Sequence, residues 1–196
     1  APMANKQDVL HDLVQLARAL GRPRRNYVIL DEGSAAACIG RTTLWVSAAA
    51  ARLHHAVAAS FVEMSFAGLA RLLDNPDLAA DELRPALRAA RADPTLHTRP
   101  TADALLYALT LGLEGVSFAA LTRPPAVLSL LCTQNAASLA TGQVLVGAAD
   151  YCGPAPAFVP YAAPGLAQAA ALRSALTRFA DAHGEPPRVV WLQNHG

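Results

Sequence analysis

Lysine is almost absent from this sequence: Lys6, beside a frayed N-terminal tail, is the single example in 196 residues. A Schiff-base mechanism needs a lysine amine held inside a site, so that chemistry is poorly supplied. Cysteine is scarce too. Cys38, Cys132 and Cys152 are odd in number and widely spaced, and no CxxC occurs. That pattern argues against a disulfide framework and a cysteine zinc site, and it points to a reducing, cytoplasmic compartment. Long apolar runs are also missing. Ala104–Leu113 is too short to span a membrane, and residues 117–132 are broken by Arg123, Pro124 and Pro125. The opening APMANKQDVL has no apolar core of a signal peptide. Charge of one sign does not accumulate: the formal net charge is +1. Only Arg22–Arg25 is locally basic and reads as a solvated loop, so neither nucleic acid nor membrane is an expected partner.

What the chain does have is alanine. Hydrophobic residues make up 53% of it, with only 16% charged. Alanine favours helix and fills little volume, which predicts tightly packed helices with small side chains. The length suits one domain with a core of its own.

Apolar residues Val9, Leu10, Leu13, Leu16, Ala17 and Leu20 recur at helical spacing, and Gly21 and Pro23 end that helix. The period then shortens. Tyr27–Leu30, Ala37–Ile39 and Thr43–Val46 read as strands, the last two joined at Gly40-Arg41. Residues 48–59 are helical by propensity, and Phe61–Met64 reads as another strand. Helices are expected over Ala67–Leu73 and Asp81–Ala92. A third runs from Thr101, as N-cap, to Gly112. Val116–Leu121 reads as a buried strand, and Pro124-Pro125 start the next helix. Gln143–Val146, Ala157–Pro160 and Val189–Gln193 read as strands, with a long helix from Pro164 to His183 closed by Gly184. No GxGxxG, P-loop or repeat occurs. The rhythm suits a largely antiparallel sheet covered by helices.

Three segments carry chemistry. The first is Leu30-Asp31-Glu32-Gly33-Ser34-Ala35-Ala36, followed by the run Leu44-Trp45-Val46-Ser47-Ala48-Ala49-Ala50. The second is Arg99-Pro100-Thr101-Ala102-Asp103. The third pairs Leu121-Thr122-Arg123-Pro124 with the terminal Leu192-Gln193-Asn194-His195-Gly196. A turn rich in backbone N–H groups can nest an anion. A carboxylate such as Asp103 can shuttle a proton, or can simply sit in a first helical turn and interact with the helix dipole.

In their order these segments resemble the class II aldolase/adducin family over residues 7–196. The resemblance implies an α/β fold: a three-layer α/β/α domain with a mainly antiparallel central sheet, filling residues 1–196 as a single domain. In the family a further strand and helix follow the terminal motif, which this sequence is expected to lack, and the resemblance also implies a homo-oligomer, commonly a tetramer. It places Glu32, Gly33, Ser34 and Asn194 at substrate-binding positions and Asp103 at the acid/base position. Of the three metal-binding histidine positions, the first two hold Leu121 and Arg123, and only His195 matches the third. Leucine has no donor atom and arginine is a permanent cation. Hence no cofactor is expected, with zinc or another divalent metal as the alternative. Arg123 is instead a candidate to hold a carboxylate or phosphate, or to pair with Asp103.

Two functional readings follow. One is a diverged relative without classical zinc-dependent aldolase activity, binding a small sugar-derived acid or phosphate. The other is an active aldehyde-lyase or epimerase on a sugar phosphate, with a metal site rebuilt from residues such as His97, His54-His55, Asp150 or Cys152. Retro-aldol cleavage needs an electron sink at the carbonyl, and neither lysine nor a full zinc ligand set is at hand, which favours the first.

Overall fold

Alanine-rich strands let helices approach both faces of one sheet. The computed structural model describes residues 5–30, 32–141, 150 and 152–196. Helix α1 (Lys6–Leu20) is capped by the Asn5 side chain, which accepts from Gln7 N. Strands β1 (Ser34–Ile39), β2 (Thr43–Ser47) and β3 (Phe61–Ser65) follow, then helices α2 (Phe66–Leu73), α3 (Ala80–Ala89) and α4 (Ala104–Thr110). Strand β4 (Phe118–Leu121) precedes α5 (Pro125–Leu131) and α6 (Ala136–Thr141). The chain closes with β5 (Ala157–Val159), α7 (Leu166–His183) and β6 (Val190–Leu192).

The central sheet has the order β3-β2-β1-β4 and every pairing in it is antiparallel. A separate parallel pair joins β5 to β6, with α7 as the crossover. Strand alternation sorts the core into two layers. Ala35, Ala37 and Phe61 face α1, meeting Val9, Leu13 and Ala17. Ala36, Leu44, Val46, Val62 and Met64 face the other way, onto Leu69 of α2, Leu105 of α4 and Leu172 of α7. Ala35, Ala36 and Ala37 are all fully buried, so β1 is covered on both faces. This is the α/β/α layering expected from the sequence.

Several local expectations need correction. Residues 27–30 form no strand; Ile29 makes one isolated bridge to Glu32, and Leu30 turns through a left-handed φ of 51° with its side chain in solvent. Residues 48–59 are not an α-helix despite their alanines. They hold two short 3-10 turns, Leu53–His55 and Ala58–Ser60, while Ala48 N–H donates to Ser60 across the segment. Burial of Leu53 and Ala56 beneath α1 outweighs propensity there. Helix α4 starts at Ala104, with Asp103 rather than Thr101 at its cap. Strand β4 is not buried: it pairs only with β1 among the described residues, and Phe118 is exposed. The strand expected at Gln143–Val146 lies outside the described residues.

Gly21, the residue that caps the end of α1, is held tightly against the turn at His54. A Cβ there would sit 2.2 Å from the backbone nitrogen of His54, closer than any real contact. Gly21→Ala should therefore lower the unfolding free energy by about 1–3 kcal/mol, the usual cost of overpacking. Urea unfolding followed by far-UV circular dichroism checks this, and an unchanged midpoint would show that α1 can shift away at no cost.

Candidate functional site

The site forms where β1 begins and β4 ends. Register pairs Ser34 with Leu121, so the first residue of β1 lies beside the last of β4. Asp103 and Tyr107 stand one turn apart on α4, and both reach Ser34. Ser34 and Tyr107 are each only 3% exposed.

Valence fixes the direction of this network. The Leu121 N–H donates to the Tyr107 hydroxyl at 3.0 Å. Ser34 Oγ donates to Asp103 Oδ2 at 2.6 Å, which uses its single proton. The 2.7 Å contact between Ser34 and Tyr107 must then run from the tyrosine hydroxyl to the serine oxygen. Thr101 Oγ1 adds a second donor to Asp103 Oδ2 at 3.1 Å and accepts from Asp103 N–H at 3.3 Å. The result is a one-way chain, from Leu121 N–H through Tyr107 and Ser34 to the carboxylate. Burial first, and then the Asp103 charge, push the Tyr107 phenol far above its ordinary value, so it stays a donor.

Arg123 organises the other half. Its backbone N–H donates to Tyr27 O at 2.9 Å. Its Nε–H donates to the His195 carbonyl at 3.0 Å, and one terminal nitrogen pairs with Glu32. The other terminal nitrogen lies 3.2 Å from His195 Nε2. Guanidinium can only donate, so Nε2 must be the acceptor and His195 carries its proton on Nδ1. Burial, and then the Arg123 charge, lower the His195 pKa and favour this neutral form. His195 reaches this place through a tight turn. Leu192 and Gly196 exchange N–H···O bonds of 2.7 and 3.0 Å, and Asn194 takes the left-handed φ of 59° the turn needs. Gly196 packs so closely on Thr122 that a Cβ would lie 2.5 Å from its carbonyl oxygen.

Glu32, Gly33, Ser34, Thr101, Asp103 and Arg123 line one cavity of about 260 Å3. Of the site residues singled out in the sequence, Glu32, Gly33, Ser34, Asp103, Arg123 and His195 are brought together. Asn194 is exposed, and its side chain has no hydrogen-bond partner among the described residues; it serves the turn through its backbone. Arg123 pairs with Glu32, not with Asp103. Tyr107 and Thr101 were missed as site residues. The signal for Tyr107 was its position one turn after Asp103, since a buried tyrosine hydroxyl needs a partner.

A divalent metal does not fit this donor set. Leu121 offers no donor atom, a fixed guanidinium occupies the next position, and that guanidinium already takes the Nε2 lone pair of His195. Among the described residues, no group of three His, Cys, Asp or Glu side chains could hold a metal.

Known structures share this architecture. The chain superposes on the N-terminal class II aldolase domain of a conserved protein from Thermoplasma acidophilum with a TM-score of 0.71, at 14% identity, covering 100% of this chain and 84% of that one. The fold is that of the class II aldolases. An L-fuculose 1-phosphate aldolase gives a TM-score of 0.66 at 13% identity, over 99% of this chain and 74% of the other. An aldolase II superfamily protein from Pseudomonas syringae gives 0.61 at 12%, over 100% and 66%. By sequence, no family model and no curated protein matches. At such identities the likeness concerns the fold, and the site has to be read from its own residues. No helix among the described residues is long and apolar enough to cross a membrane.

Removing the Tyr107 hydroxyl, itself fully enclosed, should leave the half-buried Leu121 N–H without its acceptor. Tyr107→Phe is expected to cost about 1–3 kcal/mol, the penalty for a donor left unsatisfied. Equilibrium unfolding of this variant beside Ser34→Ala measures it; a neutral Tyr107→Phe would mean that water or a neighbour replaces the hydroxyl.

Proposed function

We propose that this class II aldolase-like domain binds a small sugar-derived acid or phosphate at the Arg123 cavity, without zinc-dependent aldolase chemistry. One observation carries the reading: the Arg123 guanidinium bonded to His195 Nε2, which puts a permanent positive charge against the imidazole lone pair. Guanidinium has five N–H groups. Three are engaged by Glu32 and His195, leaving two for a ligand. Planar guanidinium suits the paired oxygens of a carboxylate or phosphate.

Asp103 supplies the complementary chemistry. Thr101 and Ser34 both donate to its Oδ2, and Oδ1 has no such partner among the described residues. Oδ1 is thus the oxygen available to accept a proton from a ligand in the cavity. The buried hydroxyls hold the carboxylate in one orientation, as a proton acceptor needs. An acid anchored at Arg123 would present its neighbouring carbon or hydroxyl toward Asp103. The same site could instead serve binding alone, as in an assembly domain built on this fold; the cavity and its aligned carboxylate favour a small ligand.

Isothermal calorimetry with gluconate and with inorganic phosphate tests this. Arg123→Ala should weaken whichever anion binds by at least about tenfold, the scale of one charge-assisted contact. Unchanged affinity for every small anion would remove Arg123 from ligand binding. Because Arg123 also ties three elements together, Arg123→Lys serves as the companion variant: it keeps the charge but loses the planar fork, and should bind more weakly than wild type.

A further inference from the structure

Arg84, Arg88 and Arg99 line a cavity of about 390 Å3 between α3, residues 48–50 and the segment that leads into α4. It shares only Ala48 and Ala49 with the Arg123 cavity. No carboxylate lines it, and among the described residues none of the three arginine side chains has a hydrogen bond or an ion pair. Asp81 and Glu82, the two acids of α3, lie outside the lining, and Glu82 accepts from the Ala79 N–H at 3.3 Å.

The frame that carries these charges is fixed. Leu87, between Arg84 and Arg88 in sequence, is 3% exposed and belongs to the core, which sets the rotation of α3. The Arg99 carbonyl accepts from Ala49 N–H at 2.9 Å, and the buried Pro100 beside it bridges to Ala48. Arg91, just past α3, donates to the carbonyls of Pro94, Leu96 and Thr98 and so ties down the loop between the two basic elements. Its guanidinium serves the structure; those of the cavity do not. Arg84 and Arg88 are four residues apart on one helix, where like charges repel. Arg99 brings a third positive charge to the same space. A polyanion seated among them converts that repulsion into charge-assisted hydrogen bonds.

The lining narrows the ligand. Apart from the arginines it consists of alanines, Leu87, Thr98 and Pro100. It has no aromatic ring on which a base could stack, and no imidazole, carboxylate or thiol for a metal. A single phosphate group carries about two negative charges, fewer than the three cations can meet. The formal net charge of the chain is only +1, so a polyanion gains little from the molecule as a whole and most from this cluster. We propose that the cavity is a binding site for a diphosphate group, held between α3 and Arg99, and that it works independently of the Arg123 site.

Calorimetry on the intact chain at physiological salt tests this with pyrophosphate, inorganic phosphate and ADP. Pyrophosphate should bind at least about tenfold more tightly than phosphate. Arg84→Gln/Arg88→Gln, at two exposed helix positions, should weaken pyrophosphate by at least about tenfold and leave the circular dichroism spectrum unchanged. Arg71→Gln/Arg178→Gln removes the same charge at exposed positions outside the cavity and should bind pyrophosphate as wild type does. Phenylglyoxal modification of the wild type, mapped by mass spectrometry, locates the ligand without any substitution: pyrophosphate should protect Arg84, Arg88 and Arg99, and leave Arg71 and Arg178 reactive. Equal affinity for pyrophosphate and phosphate, equal losses in the two double variants, or no protection at the three arginines overturns the proposal. Protection confined to Arg123 overturns it too while supporting the other site, so the two readings fail separately. ADP identifies the source of the group. Binding tighter than pyrophosphate and lost in Arg84→Gln/Arg88→Gln assigns it to a nucleotide, and binding no tighter assigns it to the diphosphate alone; both uphold the site.

Discussion

Arg123 meets three separate parts of the chain through one planar group. It takes the Glu32 carboxylate ahead of β1 and both the carbonyl and the imidazole of His195 after β6, and its own backbone is held by Tyr27. Without that cation the Glu32 charge and the His195 lone pair would face the end of β4 unpaired. The Arg123 side chain is 18% exposed, so its contacts to His195 form in a setting less screened than open water, whereas Glu32, at 59%, meets it from the solvent side. The site's shape and its chemistry therefore rest on the same residue, as does the poor fit for a metal.

The opposite wall depends on a different constraint: small residues. Ala35, Ala36 and Ala37 let α1 and the α4–α7 layer close on β1 from both sides. That closeness buries Ser34 beside Tyr107 and makes their hydroxyls bond to each other and to Asp103 rather than to water. A larger side chain on β1 would push α4 outward and open the hydroxyl chain. Packing in the core thus sets the orientation of a carboxylate at the surface of the cavity.

Much of the architecture was legible from periodicity. The boundaries of α1 and the turn at Gly40-Arg41 were, because apolar spacing and turn residues act locally there. The class of fold was legible in the order of three motifs, although no family model matches the sequence. Residues 48–59 misled because alanine propensity is weak beside the burial of Leu53 and Ala56. At the site, the donor-free side chain of Leu121 and the fixed cation of Arg123 could be read directly. The partners of Arg123 could not. Glu32 and Asp103 are both acidic and far from it in sequence, and only the fold decides that Glu32 is the one paired. Tyr107 was hidden in an apolar helix, where an aromatic residue reads as core until its hydroxyl is placed.

Zinc uptake by the purified chain tests the central claim, that the Arg123 guanidinium takes the Nε2 lone pair of His195. Elemental analysis after incubation with zinc and removal of excess should find no stoichiometric metal, either in the wild type or in His195→Ala. Stoichiometric zinc that His195→Ala abolishes would contradict it, for the imidazole lone pair would then belong to a metal and not to Arg123.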